Sequence, residues 1–132
     1  MSRLLLDTTF LIDGERGEEP REDLIAPSDD VAIAAITAAE LLFGVEVARG
    51  RNRASRAAFV NELLATVPVV PYDLEIATEH ALLLAAVRRS GRPRGAHDLM
   101  IAATATATGR IVVTADAKSF EGLPGIAVRR HR

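Results

Sequence analysis

The stretch Asp98-Leu99-Met100-Ile101-Ala102-Ala103-Thr104-Ala105-Thr106-Ala107-Thr108-Gly109-Arg110-Ile111-Val112-Val113-Thr114-Ala115-Asp116 decides the fold. Up to Thr108 it is built of Leu, Met, Ile, Ala and Thr and is apolar on every side, the mark of a helix buried all round. Gly109 is a helix stop. Arg110 to Thr114 then reads as a short buried strand. A buried helix feeding a buried strand is the unit of a parallel sheet covered on both faces. An acid stands at each end of the unit, Asp98 at the mouth of the helix and Asp116 just past the strand.

The rest of the chain follows the same grammar. Arg3-Leu4-Leu5-Leu6-Asp7 reads as a buried strand ending on an acid, and Thr8 to Asp13 as a turn into a helix. Gly14 to Arg21, with Gly14, Gly17 and Pro20, reads as a loop. Asp29-Asp30 marks a turn before a second strand, Val31 to Ile36. A helix follows from Thr37 to Ala48, and Gly50 to Arg53 breaks the chain. Ala54 to Ala65 has helical spacing, with Phe59, Leu63 and Leu64 apolar. Val67 to Pro71 is a short strand whose prolines suit its ends. Leu74 to Ser90 is a long helix, Gly91 to Gly95 a loop, and Ile126 to Arg129 a last strand. The expectation is one α/β domain over residues 1–132, with a mainly parallel sheet and right-handed crossovers.

Composition narrows the function classes. With 132 residues, 48% hydrophobic and 26% charged, the chain is neither a disordered tail nor collagen-like. It has no cysteine, which removes disulfide scaffolds, zinc ribbons, iron–sulfur sites and thiol nucleophiles. Aromatics are 4%, too few for an RNA-binding sheet of stacked rings. A net charge of -2 does not hold a protein on nucleic acid by bulk attraction. Leu4-Leu5-Leu6 is too short for a signal peptide's apolar region. The apolar stretch Val31 to Ala48 carries Glu40 and Glu46, which argues against a membrane span. A soluble, cytoplasmic protein is expected.

Four acids fall where solvent would not put them. Open α/β sheets build their sites beyond the carboxyl ends of the strands. Asp7 ends the first strand, Glu40 lies past the second, Asp98 opens the Ala-rich helix, and Asp116 follows the strand ending at Thr114. Each has a structural alternative. Asp7 can make an Asx turn, although the hydroxyls of Thr8 and Thr9 can also orient a carboxylate. Thr37-Ala38-Ala39-Glu40 has the form of a capping box. Against that, Phe43, Gly44 and Val47 put an apolar stripe beside Glu40, an expensive place for an acid without a cation. Asp98 suits a helix N-terminus and Asp116 a turn. Taken together the acids say more. Two charges about 4 Å apart interact by ~4 kcal/mol at an effective dielectric of ~20, so four on one rim call for protons or cations. Oxygen ligands favour Mg²⁺ or Mn²⁺, which can activate water and clamp a phosphodiester.

These residues carry a resemblance. Leu5-Leu6-Asp7-Thr8-Thr9, Thr37-Ala38-Ala39-Glu40-Leu41-Leu42-Phe43-Gly44, His97-Asp98-Leu99-Met100-Ile101-Ala102-Ala103-Thr104-Ala105 and Val113-Thr114-Ala115-Asp116-Ala117-Lys118-Ser119-Phe120 occur in order over nearly the whole chain. In this the sequence resembles the PIN-domain ribonucleases, and among them the VapC-like toxins of bacterial type II toxin–antitoxin pairs. The resemblance implies a PIN-like three-layer α/β/α fold with a sheet of about five strands. It implies Mg²⁺ or Mn²⁺, endonucleolytic cleavage of RNA, a homodimer, and a cognate VapB-like antitoxin that joins it in a hetero-oligomer. Asp7, Glu40, Asp98 and Asp116 carry over as catalytic and metal-site acids, with Thr8 and Thr114 in support.

Other residues stay open. Arg49, Arg51, Arg53 and Arg56, then Arg88, Arg89, Arg92 and Arg94, are either phosphate contacts or solvated helix ends. Arg129-Arg130-His131-Arg132 is a further basic contact or a frayed tail. His97 moves a proton or caps a helix. Glu15, Glu18, Glu19 and Glu22 read as a solvated face, and Asp13 and Glu46 as an outer shell at most. Leu82-Leu83-Leu84 and Phe59, Leu63 and Leu64 are core, dimer surface or antitoxin groove. Two rival functions remain: a receiver-like Mg²⁺-binding signalling module, for which Asp73 is a poor phospho-acceptor beside Pro71, and a catalytically silent PIN-fold binding protein.

Overall fold

The protein is described by a computed structural model covering residues 1–17 and 24–131. Its elements are β1 (Arg3–Leu6), α1 (Thr8–Glu15), β2 (Asp30–Ala34), α2 (Ala35–Val47), α3 (Gly50–Thr66), β3 (Val69–Val70), α4 (Leu74–Ser90), α5 (Ala96–Thr108), β4 (Ile111–Thr114), a 3₁₀ turn (Ala117–Phe120) and β5 (Val128–Arg130). The five strands pair in the order β3-β2-β1-β4-β5, and every pairing is parallel.

Alternation along the strands makes three layers. Leu5, Ala32, Ala34 and Val112 face α4 and α5, meeting Ile76, Leu83, Leu99, Ala102 and Ala103. Leu4, Leu6, Ile33 and Val113 face the other way, onto Leu11, Leu41 and Val60 of α1, α2 and α3. The period of two sends neighbouring residues to opposite cores. The Ala-rich α5 buries Leu99, Ile101, Ala102, Ala103, Thr104 and Ala105, as a helix apolar all round must.

Strand order places the site. From β1 the chain winds outward through β2 to β3, then returns to the other side of β1 for β4 and β5. The topological switch therefore lies between β1 and β4, where ligands bind in open α/β sheets. It also rules out the receiver-like alternative, whose sheet runs 2-1-3-4-5. Asp7 follows β1 directly, with its amide on the Val113 carbonyl at 2.9 Å.

Several boundaries differ from the sequence reading. α1 continues through Gly14 and Glu15, so the loop starts later. Residues 18–21 of that expected loop, and Glu22 of the expected acidic face, lie outside the described residues. β2 ends at Ala34 and passes straight into α2, which starts before Thr37. The Thr37 capping box is thus overturned: Ala34 is the cap, and Thr37 is fully buried with, among the described residues, no hydrogen-bond partner for its hydroxyl. Gly50 to Arg53 is the first turn of α3 rather than a break, because Gly50 takes a φ of +60° and re-aims the chain before coiling resumes. Of the basic tail, Arg132 lies outside the described residues, and the other three residues are ordered parts of the fold. Arg129 and Arg130 lie in β5, and His131 is buried at 7% exposure against Phe10.

Candidate active site

Asp7 is 3% exposed and is the N-cap of α1. Its Oδ1 accepts the Thr8 amide at 2.8 Å. Its Oδ2 accepts the hydroxyls of Thr9 at 2.8 Å and Thr114 at 2.6 Å. Thr9 and Thr114 touch each other at 3.1 Å and accept the amides of Ala115 and Asp116. Two hydroxyls therefore tie the end of β1 to the end of β4. Burial drives the Asp7 carboxyl above its usual range, and these three hydrogen bonds pull against that rise.

Glu40 sits one turn into α2 and reaches α1 and α5. Its Oε1 accepts the Thr8 hydroxyl at 3.0 Å, and its Oε2 lies 3.4 Å from His97 Nδ1. Thr8 thus gives its amide to one acid and its hydroxyl to another. The apolar stripe expected beside Glu40 is not buried: Phe43 is 66% exposed and Val47 57%. The cation that meets Glu40 is His97 when protonated.

Asp98 lies in the first turn of α5 and is half-buried. Its carboxylate folds back over Gly95, where a β-carbon would stand 2.9 Å from Oδ2. Glycine at the cap leaves that carboxylate its room. Burial raises the Asp98 carboxyl first, and then repulsion from Asp7, Asp116 and Glu40, while the Ser119 hydroxyl opposes the rise. Asp116 is exposed and precedes the 3₁₀ turn, where its Oδ2 accepts the Ser119 hydroxyl at 2.6 Å. Asp98, Asp116, Lys118 and Ser119 line an open cleft of about 320 Å³.

All four expected acids therefore gather on the carboxyl rim beside the switch point, with Thr8 and Thr114 between them. Among the described residues no Lys or Arg makes an ion pair with Asp7, Asp98 or Asp116. Nor do three His, Asp or Glu side chains enclose a ready-made metal cage among those residues. The donors are all oxygen and do not close into a cage among the described residues. That suits a hard cation that keeps several waters, as Mg²⁺ does, more than one fully wrapped by protein.

Sequence reasoning passed over Ser119 and the His97–Glu40 pair. Ser119 stands three residues past Asp116, the spacing that stacks two side chains in a 3₁₀ turn, so its position was a usable signal. The His97–Glu40 pair joins two helices distant in sequence and left none. The suggested outer shell does not form. Asp13 is buried 3.4 Å from His131 Nε2, and Glu46 pairs with Arg53. Arg56 pairs with Glu15, which takes a second cation from the first basic run. Arg88 and Arg89 occupy the last turn of α4, where cations complement the helix dipole.

Comparison with known proteins agrees with this geometry. The PIN domain family model matches residues 4–125. A tRNA(fMet)-specific endonuclease VapC of Salmonella typhimurium is 33% identical over 132 residues, covering 97% of each chain. Ribonuclease VapC5 of Mycobacterium tuberculosis is 37% identical over 124 residues, covering 93% of this chain and 89% of the relative. Among solved structures, a chain of the DNA-bound VapBC from Salmonella typhimurium superposes with a TM-score of 0.89 at 30% identity, covering 100% of both chains. A member of the VapBC family of toxin–antitoxin systems from Mycobacterium tuberculosis gives 0.83 at 30% identity, over 98% of this chain and 99% of that one. With a family match over most of its length and relatives alike from end to end, the chain belongs to the PIN-domain family, within its VapC group.

Proposed function

We propose that the protein is a Mg²⁺- or Mn²⁺-dependent endoribonuclease and the toxin of a toxin–antitoxin pair. The observation that carries the reading is the Asp7–Asp98 rim: two carboxyls raised by burial, at the switch point, with no cation in ion-pair range among the described residues. A fold stabilised only by its own contacts gains nothing from that arrangement. A site that receives a divalent ion does.

Asp7, Asp98, Glu40 and Asp116 are the residues that would hold the ion. When bound, it supplies the Lewis acidity that acidifies water and neutralises charge developing on a phosphodiester. The chain's own groups do the positioning. Thr9 and Thr114 lock the Asp7 carboxylate, Thr8 holds Glu40, and Ser119 holds Asp116 across the cleft lining it shares with Asp98. His97, next to Asp98 in the chain and held by Glu40, is placed to carry a proton.

The named specificity of the Salmonella relative makes tRNA(fMet) the first RNA to test. Its VapBC structure is the basis for expecting a VapB-like antitoxin in a hetero-oligomer, while the homodimer rests on the family resemblance alone. Exposed Phe43 and Val47 on α2, and Leu74, Leu82 and Leu84 on α4, offer apolar surface for such contacts. Among the described residues no helix is long and apolar enough to cross a membrane.

The test is cleavage of tRNA(fMet) and total RNA by purified protein in Mg²⁺, Mn²⁺ or EDTA, beside Asp98→Asn. Cuts that need the metal and vanish in the variant establish the activity, and sequencing their 5′ ends gives the site. Intact RNA in every lane, with no Mn²⁺ uptake beyond that of Asp7→Asn, favours the silent binding protein.

A further inference from the structure

Arg94 lines the cleft of Asp98 and Asp116, yet its guanidinium is spent on the site's scaffold rather than on either acid. It lies in the loop between α4 and α5, just before Gly95, the cap of α5. Its guanidinium turns to main-chain carbonyls rather than to an acid. Nη1 donates to Lys118 at 3.2 Å and Ser119 at 3.3 Å, and Nη2 donates to Glu121. The chain closes tightly round the group at Gly122, where φ is +78° and a β-carbon would come within 3.3 Å of Nη2. A planar fork bonded to three carbonyls is a brace of fixed geometry, which a flexible ammonium cannot copy.

The brace spans the two elements that carry the outer acids. On one side, Asp98 sits in the first turn of α5. On the other, the 3₁₀ turn carries Asp116 as its cap and Ser119, whose hydroxyl bonds Asp116 and which lines the cleft with Asp98. The neighbouring Arg92 lines the same cleft, but among the described residues its guanidinium makes no ion pair or hydrogen bond. We propose that Arg94 is a positioning residue: by clamping the 3₁₀ turn to the start of α5, it fixes the gap between Asp98 and Asp116 and so sets divalent-ion affinity and turnover without touching ion or RNA. The inference rests on the nuclease reading above.

The test compares R94A, R94K, R92A and D98N in the full chain. Mn²⁺ affinity is measured by calorimetry without RNA, and kcat and KM by cleavage, all below the unfolding temperature. R94A is expected to lose about 10–100-fold in Mn²⁺ affinity and in kcat, as when a partner that orients ligands is removed, with KM little changed. Guanidinium chloride added at millimolar concentration restores part of both. R94K retains the charge but not the fork, and stays impaired. R92A keeps the Mn²⁺ affinity of the wild type, and any defect falls on KM. Wild-type Mn²⁺ affinity in R94A overturns the brace, as does a loss confined to KM, which would make Arg94 a phosphate contact. Should R94A fail to fold, wild-type affinity in R94K overturns it equally. D98N separates the two levels: if it binds Mn²⁺ as the wild type does, the nuclease reading itself falls, whereas loss in D98N with none in the Arg94 variants removes only the brace.

Discussion

The two ends of the sheet treat the same residue type in opposite ways. At the amino ends of the strands, Asp30 pairs with Arg3 at 3.2 Å and with the largely buried Arg110 at 3.1 Å. Its neighbour Asp29 accepts the amides of Ser2 at 2.8 Å and Ala26 at 2.8 Å, and these bonds hold its carboxyl below the usual range. At the carboxyl ends, Asp7 and Asp98 are raised above that range, first by burial, with no arginine or lysine in ion-pair contact among the described residues. One rim neutralises its acids with the chain's own groups. The other leaves them to be neutralised from outside. The first arrangement holds the fold together, and the second costs stability that only a ligand can return.

The contrast makes the largest prediction about Asp98. In EDTA, Asp98→Asn should fold and match or exceed the wild type in stability, since it removes a half-buried charge facing three others. It should cut RNA slower by about a thousandfold or more, the scale of losing a group that supports acid–base and metal chemistry. A saturating divalent ion at 100 times its Kd should stabilise the wild type by about 2.7 kcal/mol and the variant far less, read from urea midpoints. A variant less stable than the wild type without metal would show the carboxyl rim to be as self-contained as the other.

The amino rim should answer the other way. Arg110 Nη1 donates to the Leu4 and Asp30 carbonyls and to Asp30 Oδ1, with the side chain only 9% exposed. Arg110→Ala leaves those acceptors unpaired and should cost about 2–3 kcal/mol in urea unfolding. Cleavage per folded molecule should not change. A loss of kcat in protein that remains folded would mean that the two rims are coupled through β1 and β4.

Thr114→Val sharpens the comparison within the carboxyl rim. The change keeps the shape and removes the hydroxyl shared by Asp7 and the Asp116 amide. Activity should fall by about 10–100-fold, as when a group that orients a ligand is lost. Stability should fall by only about 1–2 kcal/mol. Full activity would assign the Thr9–Thr114 bridge to folding alone.

The sheet was legible because its strands and α5 are short apolar runs with one structural meaning, and the order of Asp7, Glu40, Asp98 and Asp116 along them fixed the rim. Helix starts were less so. Thr37 carried a capping signature, but the strand before it ended early and α2 began at Ala35, with alanines that need no cap to coil. The Gly50 boundary failed for a related reason, since glycine there turns the chain instead of stopping the helix. Contacts such as Glu40 with His97, or Arg94 with the 3₁₀ turn, depend on how helices lie across the sheet. No local pattern encodes that.

The smallest expected effect is in the pH dependence, where the two rims should pull in opposite senses. A carboxyl held low in the fold adds stability that is present above its unfolded value and is lost as pH falls through the folded one. Asp29 is of that kind, so Asp29→Asn should lose part of the wild type's gain in urea midpoint as pH rises through the acid range. A carboxyl held high binds its proton more tightly in the fold, so its contribution is present below the unfolded value and is lost as pH rises through the raised one. Asp7 and Asp98 are of this second kind, and in EDTA the wild type should lose midpoint as pH climbs above the ordinary carboxylate range. Asp98→Asn should flatten that decline, and Asp29→Asn should leave it in place. Parallel curves for both variants would mean that the two ends of the sheet do not differ in how they hold charge, and the case for an externally neutralised site would lose its electrostatic basis.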